Sequence, residues 1–170
     1  MNTEFLVLRA IHVYGAVLWA GTNPFVAFFL MPAMGLAGPA GGPVMGALVK
    51  RKLFTIIPVV AVATMLAGLR MLWLVSAGFS ASYFATRSGM TYVAGATGAL
   101  AAFTIFMLVN HPAVGRMMQL GQQMAQAPEA ERGPLAAQLG AIRARAATAS
   151  IVTALIISLT ILAMAVARYV

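Results

Sequence analysis

The segment HVYGAVLWAGTNPF, His12 to Phe25, sets an imidazole, an indole and a carboxamide into an otherwise apolar run. On a helix of about 3.6 residues per turn, positions four, seven and eleven residues apart share a face. His12, Ala16, Trp19 and Asn23 therefore line up, and Arg9 lies one turn before His12. A neutral histidine ligates iron, copper or zinc through one ring nitrogen. It serves equally as a hydrogen-bonding partner for a neighbouring helix. Gly15 and Ala16 leave space beside the ring, either for a bulky group or for a second helix packed through small residues.

Arg70, in GLRMLW, is the other residue that could do chemistry in an apolar run. An arginine there costs at least ~2.5 kcal/mol on insertion scales and is drawn to protein groups or an anion. The only acids in the chain are Glu4, Glu129 and Glu131. Arg70 therefore has four fates: a pair with Glu4, a bond to backbone carbonyls, snorkelling outward, or an external anion such as the propionates of a haem. His111, in VNHPAVGR, is the only other histidine. No HxxxH, HxH or His–carboxylate pair occurs, which argues against tetrahedral zinc. The chain has no cysteine, so thiolate metal sites, disulfides and cysteine nucleophiles are excluded. Twelve methionines are present, and thioether sulfur is an axial haem ligand in some proteins. Met71 and Met164 fall near the layer of His12, and neither is singled out as a ligand.

The elements that must position these residues follow from composition. The chain has 170 residues, of which 62% are hydrophobic and 8% charged, against about a quarter charged in soluble domains. Four runs reach the ~20 apolar residues that cross a bilayer: 5–31, 53–77, 89–110 and 147–169. The expected fold is all-α, an integral membrane four-helix bundle forming a single transmembrane domain over 1–170. The net charge of +8 does not point to nucleic acid, because its location follows membrane topology. Lys50, Arg51 and Lys52 end the first connection, 32–52, and Arg116, Arg132, Arg143 and Arg145 occupy the third, 111–146. The second connection has Arg87 alone. The positive-inside rule then puts connections one and three in the cytoplasm and both termini on the outer, periplasmic side of a bacterial-type inner membrane. The first run is too long for the apolar core of a signal peptide and lacks a basic start.

With these spans, His12 lies ~10 Å, Arg70 ~9 Å and Thr97 ~12 Å from the outer ends of their helices, at a rise of about 1.5 Å per residue. Three polar side chains from three helices thus share one layer, with Arg9 and Arg168 above them. His111 belongs to the opposite end, ~20 Å away given a ~30 Å hydrocarbon core, so one haem cannot take both histidines of one chain. His111 reads as the polar end of the third helix before Pro112. Pro24 predicts a kink near Thr22-Asn23, and Pro32 predicts the end of the first helix. The stretch AMGLAGPAGGPVMGALV (33–49) reads as a flexible connector, and Glu129–Arg145 as an extension of the fourth helix with Gly133-Pro134 in its first turn. No internal repeat and no GxGxxG loop are evident.

His12, Trp19 and Gly21 in LRAIHVYGAVLWAG, with Arg70 in GLRMLW, resemble the small four-helix membrane proteins related to copper-resistance protein D and to HemJ. The resemblance implies a four-helix protein that holds b-type haem through the helix-1 histidine. It implies protoporphyrinogen oxidation for HemJ-like members and copper handling for the others. Thr22-Asn23-Pro24 departs from the pattern of these proteins. The expectation is a haem b protein of electron transfer, or a cofactor-bearing subunit of a redox assembly. His12 would be the axial ligand, Arg9 and Arg70 would face the propionates, Trp19 would lie beside the macrocycle, and Thr97 would be a polar contact. The alternatives are a porphyrinogen oxidase, a cofactor-free accessory subunit and a copper protein. Expected partners are the bilayer, further copies or subunits of a larger complex, and a quinone or cytochrome.

Overall fold

Lipid offers no hydrogen bonds, so a spanning segment must satisfy its backbone internally, and these leucine-, alanine- and valine-rich runs do so as helices. The computed structural model describes residues 2–170, apart from the side chain at position 39. Four helices are long and apolar enough to cross a membrane: α1 (Thr3–Leu36), α3 (Leu53–Val75), α5 (Arg87–Gln126) and α6 (Glu129–Tyr169). Two shorter ones, α2 (Gly41–Lys50) and α4 (Ala81–Phe84), lie in the first and second connections. The chain is a multi-pass helical membrane protein, and four crossings bring both termini to the same end of the bundle.

Two prolines expected to stop helices do not. α1 runs through Pro32 to Leu36, and α5 runs through Pro112 to Gln126. Each proline is preceded by one wider π turn, Val26–Leu30 and Phe106–Asn110. Met31 N–H then bonds back to Val26 O, and His111 N–H to Phe106 O, five residues away. This widening makes room for a ring that would otherwise strike the preceding turn. The two halves share more than was read from the sequence. Val26 and Phe106, Leu30 and Asn110, Pro32 and Pro112 each stand 80 positions apart, and Ala33 and Ala113 follow the prolines.

Other boundaries move as well. His111 is not a helix end but an exposed residue within α5, with its ring 6.4 Å edge-on to Phe106. The segment 111–146 is a helical hairpin, α5 and α6 turning at Ala127-Pro128 and packing against each other, with Leu120 and Leu139 buried. Pro134 falls in the second turn of α6. The glycine- and proline-rich connector is largely helical, α2 closing on α1 so tightly that a methyl group on Gly41 would stand 2.6 Å from Met34 O.

α1 packs along α3 and α5 along α6, the two pairs meeting mainly where α1 touches α6. At mid-height Trp19, Ala20, Ala61, Ala99, Ala102 and Ile157 form the core. Alanines there draw the helices close around one large ring, and Trp19 meets Phe103 edge-to-face at 6.3 Å. Val17, Phe29, Leu66, Leu108, Leu159 and Leu162 point outward, an apolar surface suited to lipid contact.

Candidate functional site

α1 and α3 lock together near the end of the bundle that carries the termini. His12 Nδ1 lies 2.8 Å from the main-chain oxygen of Thr64. A carbonyl only accepts, so Nδ1 carries the proton and donates it, and Nε2 of the neutral ring keeps its lone pair. The ring can lie this close because Gly68, one turn beyond Thr64, has no side chain. A methyl group on Gly68 would stand 2.6 Å from Cε1 and 2.8 Å from Nδ1 of His12. The fit is reciprocal: the Thr64 hydroxyl, bonded to Val60 O at 2.8 Å, occupies the space that the missing side chain of Gly15 leaves on α1. The room beside Gly15 is thus filled by the neighbouring helix.

Arg70 resolves among its four fates. Its Nε donates to Glu4 Oε1 at 2.7 Å, with both side chains a little over 40% exposed. The guanidinium lies 4.4 Å over the Trp73 ring, a cation–π contact. The bond to Glu4 uses only one of the guanidinium donors. Arg9 is exposed, one turn from His12 toward the chain start. Trp19 is buried two turns deeper, held in the core by Phe103.

Thr97 is not brought toward His12. It is exposed on α5, because the neighbouring Gly98 is the residue pressed against Thr160 of α6, which turns Thr97 outward. Met164 lies over Gly95, its Sδ 3.2 Å from where a methyl group there would be. Among the described residues no three His, Asp or Glu side chains gather as a metal site. His12 would ligate alone.

The sequence reading missed Thr64 and Gly68, the partners that orient the imidazole. The only signal was the glycine two residues before Arg70. It also missed the polar companions of Asn23 nearer the other end of the bundle. Asn23, Asn110, Ser150 and Thr153 border a cavity of about 80 Å³ between α1, α2, α3, α5 and α6. Asn23 Nδ2 donates to Trp19 O at 2.9 Å, and the Thr22 hydroxyl to Leu18 O, so Thr22 and Asn23 both bond back to their own helix. No family model, curated protein or solved structure matches this chain.

Proposed function

We propose that the chain is a membrane haem b protein, working in electron transfer or as the cofactor-bearing subunit of a redox assembly, with His12 Nε2 as the axial ligand. The observation that supports this reading is the His12–Thr64 bond. Metal-bound histidines as a rule donate their second ring N–H to a carbonyl or carboxylate, which sets the tautomer and the ring plane. His12 has that arrangement, with Gly68 fixing the ring from one side. The resemblance of His12, Trp19, Gly21 and Arg70 to copper-resistance protein D and HemJ relatives points the same way.

The residues fit such a group unevenly. Arg70 retains guanidinium donors for a propionate, though Glu4 competes for it, and Arg9 is a second exposed cation in reach of the same end. Trp19 and Thr97 contribute nothing at the imidazole. Bound haem would supply one-electron chemistry. The chain's own part is to commit Nδ1 to Thr64 O, keep the ring plane fixed and offer positive charge at the membrane edge. In this reading both termini are periplasmic and the hairpin of α5 and α6 is cytoplasmic, as the basic residues at 50–52, 116, 132, 143 and 145 favour.

A second reading, an accessory subunit without cofactor, has its own support. A histidine seated on a glycine and bonded to a main-chain oxygen is also an effective interhelix lock. The absorption spectrum of protein purified from haem-replete cells separates the two. A Soret band that is lost in a folded His12→Ala variant is expected. Colourless wild-type protein would leave the accessory reading, and a band indifferent to His12→Ala would assign another ligand.

A further inference from the structure

Asn23 lies eleven residues beyond His12 on α1, ~16 Å along the helix. The cavity it borders is therefore independent of the imidazole and of the haem reading. Both of its asparagines are held by their NH₂ groups. Asn23 Nδ2 donates to Trp19 O, and Asn110 Nδ2 donates to Ala146 O at 3.0 Å and to Ser150 Oγ at 2.7 Å. Main-chain carbonyls cannot donate, so both amides are fixed in orientation and each Oδ1 is the acceptor left over. Among the described residues Asn110 Oδ1 is buried with no partner, and so is Thr153 Oγ1, on a residue only 2% exposed. Folded proteins rarely leave buried polar atoms unpaired, and such atoms mark a missing partner.

The surroundings define that partner. Among the described residues no charged side chain borders the cavity, so an ion has no countercharge there. The walls are mostly apolar, with Met31, Met45 and Met117 among them, and water alone would face them without hydrogen bonds. The volume is well above the ~10–15 Å³ that a single water needs and is on the scale of a small hydroxylated head. Methionine thioethers adapt to irregular apolar shapes.

We propose that this cavity binds the head of a neutral hydroxylated amphiphile, an O–H of which donates to Asn110 Oδ1 while an oxygen accepts from the Thr153 hydroxyl. The apolar remainder runs along the methionines. Asn23 Oδ1 is a second acceptor on the facing helix. A monoacylglycerol and an alkyl hydroquinone share this chemistry, and they are the two sources to separate.

The test uses the full chain in phosphatidylcholine nanodiscs with a monooleoylglycerol that carries a diazirine beside the glycerol, and mass spectrometry of the labelled peptides. Labelling is expected to concentrate on cavity residues such as Met31, Met45 and Met117. Unlabelled monooleoylglycerol or decylhydroquinone should compete, whichever is stronger naming the source, whereas monooleoylglycerol dimethyl ether, which has no donor, should not. Thr153→Val removes an unpartnered hydroxyl and keeps the branched shape, so the protein should remain folded while probe affinity falls about fivefold, the worth of one hydrogen bond. Labelling spread evenly over lipid-facing Leu108 and Leu159, equal competition by the dimethyl ether, or unchanged affinity in Thr153→Val would overturn the proposal.

Discussion

His12 and Thr64 are fifty-two positions apart in the chain, yet Nδ1 of the first lies 2.8 Å from the main-chain oxygen of the second. The contact makes one ring nitrogen a donor committed to structure and leaves the other as a base. Gly68 and Gly15 make it possible from opposite sides, each receiving a side chain from the facing helix. A ligand and a helix lock are therefore one geometry here, and variants of the residues around it pull the two roles apart.

Replacing His12 by glycine removes the bond and the base together. Loss of one interhelix hydrogen bond should cost about 1 kcal/mol of stability and glycine in the helix interior about 1 kcal/mol more, visible as a fall in unfolding temperature in detergent. If Nε2 ligates, the same variant loses its Soret band, and imidazole added to the solution restores part of it. Imidazole that changes nothing in a folded, haem-replete His12→Gly protein would count against ligation.

The glycines offer a graded series. Gly68→Ala and Gly15→Ala each insert a methyl group into occupied space, against the His12 ring and the Thr64 hydroxyl respectively. Overpacking of this kind typically costs about 1–3 kcal/mol. Gly21→Ala, six residues beyond Gly15 on α1, meets nothing within 4 Å among the described residues, and should leave stability unchanged or raise it by less than about 1 kcal/mol. Thermal unfolding of the three variants checks the order. Only Gly68→Ala should also alter any spectrum that depends on His12, because only that methyl group presses on the ring.

How much of this was legible follows from the range of each signal. The spans could be read because hydropathy is local, and 53–77 differs from α3 only at its far end. Pro32 and Pro112 misled because a proline normally ends a helix, whereas here a π turn before each one makes room for the ring. The polarity and row of His12 on α1 were readable. Its partner was not, since Thr64 and Gly68 meet it only through the rotation of α3 about its axis, which no single-helix pattern encodes. Thr97 failed in the same way: its depth could be counted, but its direction depended on Gly98 seating against Thr160. Arg70 was narrowed to four partners by the scarcity of acids, and the structure selects Glu4.

The Arg70–Glu4 pair is half exposed, and pairs of that kind contribute at most about 1 kcal/mol. A double-mutant cycle of Arg70→Ala and Glu4→Gln should therefore give a small coupling energy in unfolding measurements. Their effects on an anionic ligand should be opposite in sign. Arg70→Ala removes a cation and should weaken haem retention during purification. Glu4→Gln frees the guanidinium from its competitor and should strengthen it. Parallel losses in both variants would show that the ion pair itself, rather than the arginine charge, supports the site.

Orientation can be tested without background, because the chain has no native cysteine. Ser82 in α4 and Gln122 in the hairpin of α5 and α6 are both exposed and lie at opposite ends of α5. Basic residues crowd the end that holds Gln122, where Arg116, Arg143 and Arg145 are exposed, and the positive-inside rule keeps such a segment in the cytoplasm. In intact cells a membrane-impermeant maleimide should label Ser82→Cys at once and Gln122→Cys only after permeabilisation. The reverse pattern would place the imidazole and both termini on the cytoplasmic side. An arginine-rich hairpin would then stand outside against the charge rule, and any electron partner of His12 would have to be sought in the cytoplasm.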